Sequence, residues 1–254
     1  MARSERSESS TLAPHPPLTR YYADESSRTQ WVRGVFDRTA ADYDRVERMM
    51  AFGSGAWYRR QALLRAGLQP GQRVVDVGIG TGLVAREIAA IVGDPTRVTG
   101  VDPSVGMLAA AQVPAGVQLL EGRAEAIPLP DQVADCVTMG YALRHIGDLA
   151  AAFREFERVL VPGGRVLVLE ITRPRGRWRL ALLKAYMRGV VPALSWFVAR
   201  HRDMPMLMRY YWDTIETCIP PDQVMAALAA AGFVGVERHV ELGIFSEYRA
   251  VKPG

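Results

Sequence analysis

Nowhere does the 254-residue chain carry the run of about 18 apolar residues that a helix needs to cross a bilayer, so a membrane-spanning helix is excluded. Its opening residues, MARSERSESS, lack the apolar stretch of a secretory signal, which makes the cytoplasm the expected compartment. Cysteine is scarce. Cys136 and Cys218 are too few and too scattered for a disulfide framework or a zinc site, and no metal is expected. Cys136, inside an apolar run, reads as a small buried hydrophobe. The interleaved aromatic and basic motifs of RNA-binding modules are absent too. The net charge of +4 comes mainly from arginines spread along the chain among acids, and it reads as a solvated mixed surface with no nucleic-acid partner.

What is present suits one large domain, or a core domain with a small lid. Residues 1–28 are rich in Ser, Pro and charge without any period, and they predict a disordered or loosely docked extension. The main domain is expected over 29–251. Apolar residues at helical spacing (Val32, Val35, Phe36, Tyr43, Val46, Met49) predict one or two helices within 29–60.

Strand and helix signals then alternate. Strands are expected at Arg73–Val77, Arg97–Val101, Val117–Leu120, Ala134–Met139 and Arg165–Ile171, with helices between them. That order implies a doubly wound α/β sheet of mostly parallel strands with right-handed crossovers. Strand-like runs at Val234–Val240 and Ile244–Val251, joined by a tight connection, predict an antiparallel edge. Residues 176–218 are helical in pattern and loaded with Trp178, Tyr186, Met187, Trp196, Phe197, Tyr211 and Trp212. They read as a helical lid over an apolar acceptor pocket, or as a cap packed on the sheet.

The strongest local signal is Val74-Val75-Asp76-Val77-Gly78-Ile79-Gly80-Thr81-Gly82, a strand, a glycine-rich turn and a helix start. Gly78, Gly80 and Gly82 would let the backbone approach a ligand closely. A dinucleotide fingerprint needs Gly or Ala where Leu83 stands, so the pattern suits a nucleoside carrying an amino acid better than a diphosphate. Asp102, at the end of the second strand, is placed to accept both ribose hydroxyls. Met107 follows in the next helix, where it either touches an adenine face or packs in the core.

These residues, with Gly122-Arg123-Ala124-Glu125-Ala126-Ile127-Pro128 and Pro162-Gly163-Gly164, resemble the class I S-adenosylmethionine-dependent methyltransferases, which have a Rossmann-like seven-stranded sheet. More narrowly, the chain resembles the ubiquinone/menaquinone-biosynthesis C-methyltransferases through Val35-Phe36-Asp37, Tyr43-Asp44, Met50-Ala51-Phe52-Gly53, Trp57, Leu143-Arg144 and Leu169-Glu170. The resemblance implies S-adenosylmethionine as cofactor, S-adenosylhomocysteine as product, and a small apolar or aromatic acceptor. It implies that Tyr43 closes over the methionine portion of the cofactor. Arg123 stands where the wider class has Asp or Asn, so the adenine contact would fall to the backbone of Ala124 or to Arg123 stacking on the ring. Glu47 and Arg48 stand where the family has Asn and Asp, and His145 where it has Asn.

For the chemistry, His145 lies after the fourth strand at the ligand edge of the sheet, and an ordinary imidazole suits a general base near neutrality; it also suits a cap. Arg144 would stabilise a developing phenolate, or hold the lid by a salt bridge. Glu170 is a second base candidate or an anchor for Arg144. His15, His201 and His239 are given no role. C-methylation of a quinol-like ring is the leading reading. O- or N-methylation of a polyketide, indole or terpenoid is the alternative, followed by a nicotinamide oxidoreductase or a non-catalytic cofactor module. A prenylated quinol would bring transient contact with a membrane surface, and a homodimer is left open.

Overall fold

The computed structural model describes residues 11–50 and 53–254; residues 1–10 of the expected extension, and Ala51 and Phe52, lie outside the described residues. In chain order the elements are α1 (Glu25–Met50), α2 (Gly55–Arg65), β1 (Val74–Val77), α3 (Leu83–Val92), β2 (Val98–Asp102), α4 (Val105–Ala110), β3 (Gln118–Glu121) and β4 (Ala134–Gly140). They continue with α5 (Leu149–Val159), β5 (Leu160–Ile171), α6 (Arg177–Ala185), α7 (Val191–Val198), α8 (Met204–Thr217), α9 (Pro221–Ala230), β6 (Val234–Glu241) and β7 (Phe245–Val251). No helix among the described residues is long and apolar enough to cross a membrane.

The local causes are plain in the residues. All four residues of β1 are buried, as a β-branched strand covered on both faces must be. Helix α5 starts where Ala150 N–H donates to the Asp148 carboxylate at 2.9 Å, and it buries Leu149, Ala152, Phe153, Phe156 and Val159 along one face. Ser104 caps α4 in the same way, accepting from Met107 N–H at 3.0 Å. The seven strands run β3-β2-β1-β4-β5-β7-β6. Pairs from β3 through β5 are parallel, while β7 is antiparallel to both β5 and β6, so the closing hairpin forms the edge with β6 outermost. The order reverses between β1 and β4. At such a switch point the connections leave in opposite directions and open a crevice at the carboxyl ends of the strands.

Two departures matter for the site. The extension is not loose over residues 11–24. Leu12 N–H donates to Asp148 Oδ1 at 3.2 Å, Leu149 N–H to Leu12 O at 2.9 Å, and Ile219 N–H to Pro14 O at 2.8 Å. His15 and Tyr22 are buried, and Tyr21 and Tyr22 pack on Trp31 and, for Tyr21, on Tyr210. Composition underrates such a strap because its apolar area is concentrated in a few aromatic rings that find a partner elsewhere in the chain. Accordingly α1 begins at Glu25 rather than Thr29.

The lid also divides. It comprises α6, a π-helical turn at Tyr186–Val190, α7 and α8. Met204, Met208, Tyr210 and Trp212 build a core of their own with α1. Trp178, Trp196 and Phe197, expected in the pocket wall, point outward into solvent instead.

Candidate active site

A cavity of about 440 Å³ opens at the switch point, beside the glycine turn and beneath the lid. Gly78, Gly80 and Gly82 all have positive φ (70°, 55° and 89°), a conformation that a side chain resists. A Cβ on Gly78 would stand 2.6 Å from the Ala142 Cβ, whereas at Gly80 nothing lies within 4 Å. The turn is therefore closed on one side by protein and open toward the cavity at Gly80.

Asp102 faces that opening. Its Oδ2 accepts Gly80 N–H and its Oδ1 accepts Ser104 N–H, each at 2.8 Å. Each oxygen keeps a second lone pair for a ligand donor. Burial pushes this carboxyl up to about 6, against the pull of the two backbone donors. Asp76 lies in β1 and does not border the cavity. Its Oδ1 accepts from Thr138 Oγ1 at 2.6 Å, its Oδ2 has no partner among the described residues, and burial pushes it up to about 7. Met107 is buried and borders the cavity, as do Arg123 and Ala124; Arg123 pairs with Glu125 at 3.3 Å. A donor-rich nucleoside carrying an amino acid fits this set, because Gly80 leaves room and Asp102 has lone pairs to spare.

Helix α1 frames the other wall. Asp37 Oδ1 accepts from Ser104 Oγ and, at 2.9 Å, from Gly106 N–H. Asp44 takes Thr81 Oγ1 from the glycine turn and Arg86 from α3. The Tyr43 hydroxyl bonds the Tyr211 hydroxyl of α8 over the cavity. Burial raises both phenols, so they stay protonated.

His145 borders the cavity in a 3₁₀ turn at Leu143–His145. Its ring lies against Phe36 (5.1 Å), Tyr210 (5.5 Å) and Tyr211 (5.6 Å). Nδ1 is 3.3 Å from the Tyr210 hydroxyl, and Nε2 has no partner among the described residues. Burial, followed by the charges of Arg144, Arg28 and His15, holds the imidazole well below its usual 6.5. It is a neutral ring, not one poised to titrate near neutrality.

Arg144 and Glu170 do not reach the cavity. They form a fully buried ion pair at 2.9 Å, and Arg144 also donates to Tyr211 O and Thr214 Oγ1 of α8 and stacks on the Tyr211 ring. The pair ties the His145 turn to the lid. His15, given no role above, is buried beside Arg28, whose guanidinium donates to Arg144 O at 2.9 Å.

The cavity also holds residues that carried no sequence signal. Tyr141 follows β4 with φ 61°, an unusual conformation for a bulky residue. Its N–H donates to Leu169 O at 2.8 Å, and that lock on β5 turns the ring into the cavity wall. Glu47 and Arg59 form an ion pair at 2.7 Å on the opposite wall. The departure at Glu47 was visible, but its partner on α2 was not, since pairing across two helices leaves no local pattern.

A profile of the ubiE/COQ5 methyltransferase family matches residues 24–252. The chain belongs to that family. The ubiquinone/menaquinone biosynthesis C-methyltransferase of Rubrivivax gelatinosus is 36% identical over 231 residues, covering 88% of each chain. The demethylmenaquinone methyltransferase of Symbiobacterium thermophilum is 32% identical over 216 residues, covering 82% of this chain and 86% of that one. The fold is shared with the phosphoethanolamine N-methyltransferase 2 of Haemonchus contortus bound to phosphomonomethylethanolamine and S-adenosylhomocysteine, at a TM-score of 0.62, 20% identity, and 87% of this chain against 60% of that one. As a member of the ubiE/COQ5 family the chain is an S-adenosylmethionine-dependent methyltransferase, with the Rossmann-like fold expected of one.

Proposed function

We propose that the enzyme methylates a ring carbon of a quinol-like acceptor. The observation that carries this reading is the cavity wall. Val32, Phe36, Met50, Ile171, Leu183, Met187 and Phe245 make it apolar, while Tyr43–Tyr211, Tyr141, Glu47–Arg59 and His145 put a few polar groups around it. A flat diol with an apolar substituent matches such a wall, its hydroxyls meeting the phenols and its carbon skeleton the rest. The two curated relatives described above carry quinone-pathway names and support the same acceptor class.

Bound S-adenosylmethionine supplies an electrophilic methyl group. In this reading Asp102 accepts the ribose hydroxyls, and Met107, the Ala124 backbone and the Arg123 plane hold the adenine. The turn at Gly78 and Gly80 would receive the amino-acid end, and Tyr43 would close over it, whereas Asp76 and Gly82, expected in the same contact, lie behind the cavity wall. These contacts align the partners and exclude water, and orientation of this kind can be worth about 7–11 kcal/mol. His145 Nε2, unprotonated and without a partner among the described residues, would take the acceptor's proton, as a weak base because burial holds its pKa low. Arg144 and Glu170 act as positioning residues that hold the His145 turn. Glu47 offers a second proton acceptor, favoured by its place in the cavity wall beside Arg59.

Mass spectrometry and NMR of products from demethylmenaquinol, simple phenols and indoles test the acceptor. A new methyl on a quinol ring carbon is expected. Transfer only to oxygen or nitrogen, or none to any quinol, would assign the cavity to another acceptor.

A further inference from the structure

Acids accompany the arginines through most of the chain, but between Glu170 and Asp203 there is not one carboxylate. That stretch carries Arg173, Arg175, Arg177, Arg179, Lys184, Arg188, Arg200 and Arg202. Lys184 and Arg188 pair with Glu216 and Asp213 of α8; the other six side chains lie on residues exposed to solvent.

The same stretch leaves an apolar stripe uncovered. Trp178 is 89% exposed, Leu182 74%, Trp196 68% and Phe197 76%, with Val190 and Leu194 partly exposed between them. They fall one or two helical turns apart along α6, the π-helical turn and α7, with Trp196 and Phe197 adjacent, and all six are exposed on the outer side of these consecutive helical segments. Helix α6 buries none of its residues fully. Its inner face is different, because Leu183 with Tyr186 and Met187 of the following turn borders the cavity. The cavity rim lies beside α6. Leu242, 78% exposed, borders the cavity in the β6–β7 turn, and a Cβ on the next residue, Gly243, would stand 3.6 Å from Arg179 Nη1 of α6.

We propose that this outer face of residues 177–198, with its arginine collar and the Leu242 turn, docks on the surface of an anionic lipid bilayer. An amphipathic helix with Trp, Leu and Phe on one side and arginines beside them lies in the headgroup plane, rings at the interface and guanidinium groups against lipid phosphates. A second copy of the chain is the poorer occupant, because a two-fold interface would set this acid-free, cationic face against itself. The proposal does not depend on the acceptor, so a failure to methylate quinols would leave the vesicle result standing.

The test uses the full chain with vesicles of phosphatidylcholine alone and of phosphatidylcholine with phosphatidylglycerol. Binding is read by co-sedimentation and by quenching of tryptophan fluorescence with brominated lipid. Wild-type protein should bind the anionic vesicles, with quenching. Trp178→Ser/Leu182→Ser/Phe197→Ser should lower partitioning on the order of hundredfold, since it removes the inserted surface. Arg175→Gln/Arg177→Gln should lower it about tenfold and weaken its salt dependence. Both variants should keep wild-type affinity for S-adenosylhomocysteine, because none of these side chains borders the cavity. No wild-type binding to anionic vesicles, or equal binding by the variants, would overturn the proposal. So would a concentration-dependent wild-type dimer that the serine variant abolishes, which would give the face to a second copy.

Discussion

Asp102 is only 7% exposed, and that burial makes its ionisation costly. Burial pushes its carboxyl up to about 6, so the carboxylate predominates above that pH and the neutral acid below it. Ribose hydroxyls donate to the carboxylate, so cofactor affinity should be level above about pH 7 and weaken as pH falls through about 6. Calorimetry with S-adenosylhomocysteine over that range reads this directly, and a flat profile would remove Asp102 from the contact. Asp102→Ala should cost about 1.5–3 kcal/mol of binding. His145 makes the opposite case. Its pKa is held well below 6.5, so any acidic limb of kcat that it governs lies below the ordinary histidine range. If it takes the proton, His145→Asn lowers kcat by about 10²-fold with cofactor affinity unchanged. Full activity of that variant would pass the role to Glu47.

Among the elements, the His145 turn and α8 are bound together by charge with no water to screen it. Arg144 and Glu170 are 0% and 1% exposed, so neither can find solvent when its partner is removed. Glu170→Gln should therefore destabilise the protein by about 3–5 kcal/mol in urea unfolding, since it leaves a guanidinium buried without its counter-charge. Replacing both, Arg144→Met with Glu170→Met, should recover most of that stability while loosening the turn that carries His145. A single variant no less stable than wild type would show that water reaches the pair on unfolding of the lid alone. The ion pair was half legible: Leu143-Arg144 and Leu169-Glu170 stood out as motifs, but nothing along the chain showed that they meet behind the cavity wall rather than in it.

At the scale of the molecule, three apolar cores meet around the cavity, one on each face of the sheet and one between α1 and the lid. The strap at residues 11–24 spans two of them. It hydrogen-bonds to the start of α5 and to Ile219, and it seats Tyr22 against the lid core. A chain beginning at Glu25 should lose at least about 3 kcal/mol of stability, the scale of emptying one buried aromatic site. An unchanged melting temperature would make the strap decorative.

The sequence by itself determined the doubly wound sheet, the glycine turn and the place of Asp102. These depend on residues close together in one strand-turn-helix unit, where spacing sets geometry before any distant partner is chosen. Tertiary structure alone decided which face of the lid looks inward, that residues 11–24 are docked, and that His145 is neutral. Periodicity shows that a helix has an apolar face but not what covers it, so Met187 and Trp178 read alike until one meets the cavity and the other solvent. The state of His145 depends on burial and on charges brought in from Arg28 and His15, remote in the chain and near only once it has folded.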